Sequence, residues 1–149
     1  MSLRFVWRVA RALVPVALVV AAGCGDDDDD DAASTDGAAV SSEALDGRSF
    51  VSTEVTGETL VEGSDITVTF EGDRLSVNAG CNTINGGYAI EDGTLTAEPL
   101  AQTQMACEDD LQQQDQWVIA LLEGEPSVSL ADDVLTISSD TTTVTLDES

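Results

Sequence analysis

The chain has no histidine and no lysine among its 149 residues, and only five arginines. Without histidine there is no base for a Ser-His-Asp triad or a catalytic thiol, and no imidazole for a zinc site. Without lysine, nucleic acid is excluded as a partner, because neutralising phosphates takes clustered cations. A Gly-x-Ser-x-Gly elbow and a phosphate-cradling glycine loop are also missing. A carboxylate pair among the 29 acids is the one enzymatic arrangement left open, and abundance makes chance pairs cheap. The sequence therefore reads as non-catalytic, with no cofactor and no metal.

Long apolar runs are missing too. The longest, Ala12 to Ala22, has eleven residues and contains Pro15, against about 20 needed to span a bilayer. Arg4, Arg8 and Arg11 precede it, and Val20-Ala21-Ala22-Gly23-Cys24 closes it. A positive n-region, a short h-region and small residues before a cysteine make residues 1–23 a lipoprotein signal peptide. Ala21 stands where such signals more often carry leucine. Cys24 is then the lipidated first residue of the mature protein, held at the extracytoplasmic face of the cell membrane. A secreted form without lipid is the alternative.

All 29 acids lie after that cut, with only Arg48 and Arg74 to oppose them, so the mature net charge is −27. Such a surface keeps a tethered domain soluble and away from anionic headgroups. Six consecutive aspartates, Asp26 to Asp31, open residues 24–43, a stretch with no apolar periodicity. It cannot bury enough surface to offset its ordering entropy, so it reads as a disordered acidic tether. The run lacks the turn glycine and spaced ligands of a calcium loop.

Residues 44–149 suffice for one domain with a single core. Ile66, Val68 and Phe70 alternate with threonines, and Leu75 and Val77 follow across Glu71-Gly72-Asp73, which predicts a hairpin. Further strands are expected at Phe50 to Val55, Tyr88 to Ile90, Thr94 to Thr96, Val128 to Leu130, Leu135 to Ser138 and Thr142 to Leu146. Asp92-Gly93 and Ala131-Asp132-Asp133 supply the turns. Between Glu108 and Leu122 the period changes: Leu111, Val118, Leu121 and Leu122 share one helical face, with Trp117 at its border and glutamines opposite. The fold class is thus mostly β, a compact antiparallel β barrel or curved sheet with one packed α-helix.

With Cys24 consumed by lipid, Cys81 and Cys107 remain. An oxidising compartment favours a disulfide between them. Two unpaired structural thiols are the main alternative. The loop from Asn78 to Tyr88 carries Asn78, Asn82 and Asn85 among glycines, and such a loop can offer amide donors to a ligand. Asn and Gly equally serve to fix a tight turn. Tyr88 and Trp117 are expected in the core.

Gly80-Cys81-Asn82, then Gly86-Gly87-Tyr88, then Leu100-Ala101-Gln102-Thr103-Gln104-Met105-Ala106-Cys107 resemble the two signature stretches of the META domain, also called HslJ-like. Leu45-Asp46-Gly47 leading to Phe50 resembles that family's opening strand. Phe50 replaces the commoner tryptophan, Gln104 stands where arginine often precedes the methionine, and Asn78 where glycine is frequent. The resemblance implies a barrel of lipocalin-like shape, an envelope-associated or secreted protein linked to stress tolerance, and no established catalytic residues.

Two functions are carried forward. One is a membrane-anchored monomeric module that binds an envelope protein or other envelope component, or serves stress tolerance. The other is a small-molecule carrier that uses the barrel interior. A vacant interior favours the carrier and a filled one the module; with about 106 residues for wall and filling together, the filled barrel is expected.

Overall fold

The computed structural model describes residues 40–149. The signal peptide, Cys24 and the tether as far as residue 39 lie outside the described residues. Packing begins earlier than the expected boundary at residue 44: Val40 is buried in the core, and α1 (Ser42–Leu45) seats Leu45 there with no exposure. Val40 and Leu45 supply apolar surface to the core that the surrounding polar composition conceals.

Nine strands follow: β1 (Ser49–Thr56), β2 (Thr67–Glu71), β3 (Arg74–Asn78), β4 (Thr83–Glu91), β5 (Thr94–Ala97), β6 (Ala101–Gln102), β7 (Ser127–Ala131), β8 (Val134–Ser138) and β9 (Thr143–Glu148). The long helix α2 (Asp109–Glu123) lies between β6 and β7. Strand order is β3-β2-β1-β9-β8-β7-β5-β4, and β4 pairs again with β3, so eight antiparallel strands close on themselves. β6 adds to β4 outside this ring, opposite Ile84 and Asn85. Closure removes the free edges an open sheet would expose.

The period-two pattern does the sorting. Val68 and Phe70, Leu75 and Val77, and Val144 and Leu146 point inward while their threonine, serine and acidic neighbours point outward. Asp92 and Gly93 both take positive φ, at 52° and 75°, which is the backbone a two-residue hairpin turn requires. Phe70 sits edge-on between Phe50, at 6.1 Å, and Tyr88, at 5.0 Å, and forms the aromatic centre of the core. The helix brings Val118, Leu121 and Leu122 against Ile66, Val68 and Ile137, and the free space left there is about 10 Å³. That is room for one water at most. The barrel is filled by its own side chains.

Two expectations need correcting. The segment Asn78 to Tyr88 is not one long loop, because β4 already starts at Thr83 and the turn is confined to residues 79–82. Asn and two glycines lower strand propensity there, but pairing with β3 on one side and β6 on the other overrides it. Gly86 has a packing reason: a Cβ would come within 2.8 Å of both the Pro99 carbonyl oxygen and Leu100 Cδ2. The second correction concerns α2. Gln114 and Asp115 are each only 1 % exposed, against the expectation that the glutamines lie opposite the apolar face. Both lie three or four residues from Leu111 and Val118 and so share the buried face.

Candidate functional site

At Asn82 the turn and the helix meet over a buried carboxyl group, that of Asp115. It is 4 % exposed and faces inward, continuing the inward register of Ile84 and Gly86. Its side-chain nitrogen donates to Asp115 Oδ2 at 2.7 Å, and its backbone N–H reaches the same oxygen at 3.1 Å. Its side-chain oxygen accepts from the Met105 backbone N–H at 2.8 Å and the Thr103 hydroxyl at 3.0 Å. Gln102 adds a third donor to Asp115 at 3.3 Å. A buried carboxylate is thus held by neutral donors from two chain segments, which locks turn, loop and helix together.

Gln114, the next residue along, stitches a third segment. Its oxygen accepts from the Val61 backbone N–H at 2.7 Å and its nitrogen donates to the Ala79 carbonyl at 2.7 Å and Ser64 Oγ at 2.9 Å. Cys81 and Cys107 are joined as a disulfide, which ties the 79–82 turn to the start of α2.

The three asparagines proposed from the sequence do not converge. Asn78 is exposed and accepts from the Gly80 N–H at 3.1 Å, a local turn bond. Asn85 lies on the outward face of β4, opposite Ser76, while Asn82 faces inward. The segment that follows β6 is exposed instead. Met105, at 63 % exposure, is the exposed large hydrophobic residue of the described chain. Beside it, Gln102, Thr103, Gln104, Gln112 and Gln116 surround a recess of about 230 Å³ with Asn82 and Asp115 at its wall. Composition gave no hint of this recess, because its parts come from β6, its following loop and α2.

Against this geometry, the sequence profile of the META domain matches residues 43–149. The chain belongs to the META-domain family. Two solved structures are similar to this chain in fold. One, described only as an NMR structure of a protein, is 27 % identical with a TM-score of 0.63, over 72 % of this chain and 94 % of its own. The other, an NMR structure of a protein from Burkholderia xenovorans, is 25 % identical with a TM-score of 0.61, over 72 % of this chain and 86 % of its own. No curated protein matches. The matched region begins within α1 and takes in the whole barrel, the disulfide and the Asn82 node.

Electrostatics outside the node are simple. Arg48 donates from Nε to Glu148 Oε1 at 2.8 Å, pairs with Asp133 at 3.2 Å, and lies over the Phe50 ring at 5.1 Å. That hydrogen bond holds the Glu148 carboxyl below its ordinary range. Burial, reinforced by the Asp46 and Asp73 carboxylates, pushes the Tyr88 phenol up. Among the described residues no three His, Cys, Asp or Glu side chains gather to hold a metal ion.

Proposed function

We propose that this META-domain protein is a lipid-anchored, extracytoplasmic binding module that meets an envelope component or partner protein with its outer surface and catalyses no reaction. The filled barrel carries this reading. With about 10 Å³ free between helix and strands, a metabolite cannot enter without unpacking the core, so recognition falls to the exterior. This is why the module is preferred to the carrier. The non-catalytic part rests on the missing histidine and on two thiols spent on each other. The anchor rests on Cys24 and the leader before it. An acidic spacer between lipid and domain supports a role held off the membrane surface.

The test is crosslinking in intact cells followed by purification of the membrane-bound protein and mass spectrometry. A reproducible protein or envelope polymer at its surface is the expected result, with an acylated Cys24 as the mature first residue. A metabolite recovered in stoichiometric amount from the folded domain, with no crosslinked partner, overturns the module. An uncut chain recovered from the cytosol overturns the anchor.

A further inference from the structure

A second face of α2 carries a recess that the node does not use. A groove of about 600 Å³ runs between residues 58–62 and the first half of the helix, within the volume range of ligand sites. Its floor is Leu60, Val61 and Trp117, and its rim is Glu58, Glu62 and Asp110. Val61 and Glu62 also border a second recess of about 430 Å³, which adds Asp65 and Glu108. Sharing Val61 and Glu62, the two recesses join into one trough with five acidic residues in its lining. Neither Arg48 nor Arg74 lines it.

Each part of this trough wants something a partner would bring. Five carboxylates without a cation attract positive charge, and a tryptophan floor favours apolar groups and cations alike. We infer that the trough docks a cationic amphipathic peptide segment, its ammonium or guanidinium groups on the carboxylate rim and its apolar side chains on Leu60, Val61 and Trp117. A peptide fits better than a compact amine because the charges are strung along two joined recesses. The inference rests on the surface-binding function and gives that function its site and partner chemistry.

The experiment uses the mature chain from Cys24 onward, in which Trp117 is the one tryptophan, and a short dye-labelled peptide of alternating lysine and leucine. Saturable binding that weakens as salt rises and shifts Trp117 emission is expected. The triple variant Glu58→Gln, Glu62→Gln, Asp110→Asn should bind roughly tenfold more weakly, the sum of three modest surface pairs. A control triple of the same charge change, Glu71→Gln, Glu91→Gln, Asp147→Asn, should stay within about twofold of the parent. Equal weakening in both triples means attraction by net charge alone and overturns the trough. So does unchanged Trp117 emission at saturation, and so does a simple diamine binding as tightly as the peptide. Each of these results leaves the surface module standing; that reading falls separately, through the crosslinking outcome given above.

Discussion

The amide nitrogen of Asn82 and the carboxylate of Asp115 meet at 2.7 Å with both residues almost wholly removed from solvent. Removing either partner leaves the other buried and short of hydrogen bonds, at a cost of about 1–3 kcal/mol per orphaned group. Asp115→Ala and Asn82→Ala should each destabilise the domain by about that much or more. The double variant should cost less than the sum of the two, since it leaves fewer orphans. Urea denaturation with an unchanged slope measures all three. Strict additivity would mean that the two residues act independently, against the geometry.

The bridge between Cys81 and Cys107 closes a loop with a sequence separation of 26. In the chain-entropy account, opening it costs about 3.5 kcal/mol. Cys81→Ala with Cys107→Ala should lower the denaturation midpoint accordingly, and reductant should then have no further effect on the variant.

Phe70 has no exposure and is flanked by two aromatic rings. Phe70→Ala should cost about 3–5 kcal/mol, because a packed interior relaxes only partly around a cavity. The same variant should gain affinity for a small apolar probe such as benzene, while the parent binds none in its interior. Probe binding by the parent would contradict the filled barrel.

Tyr88 is the one tyrosine in the chain, so its phenol can be titrated by ultraviolet absorbance without interference. Its ionisation is raised above the ordinary value of 10.0, first by burial and then by Asp46 and Asp73. Because the folded state holds this proton more tightly, the associated stability is whole below pH 10 and is lost as pH rises towards the folded value. A midpoint at or below 10 would refute the burial argument.

Glu148 runs the other way. Its carboxyl is lowered from 4.5 by the Arg48 hydrogen bond, so the stability it lends is present above 4.5 and fades as pH falls through the folded value. The gap between the parent and Arg48→Gln in denaturation midpoint should therefore narrow on acidification below 4.5. The effect is small, since the pair is at the surface. A gap that widens in acid would reverse the sign.

Most of the barrel was legible because its strands alternate. Val68 and Phe70, Leu75 and Val77, Val144 and Leu146 each announce an inward face, and Asp92-Gly93 announces a turn. The helix was legible from Leu111, Val118, Leu121 and Leu122, and begins one residue after the expected Glu108. What escaped was decided by partners distant in sequence. Thr83 to Gly87 is strand only because β3 and β6 flank it, and β6 itself is two exposed residues with no pattern. Asp115 looked like one acid among 29, since nothing local marks the position that folds beneath Asn82. The trough was invisible for the same reason: its floor joins Leu60 and Val61 to Trp117 across half the domain.

The seam joining the first strand to the last bears on how the molecule is made. Arg48 and Glu148 clasp across 100 positions, and β1 cannot find β9 until that last strand has left the ribosome. Such remote pairing slows assembly. A nascent polypeptide in this condition stays threadable until the closing strand arrives and the cylinder shuts.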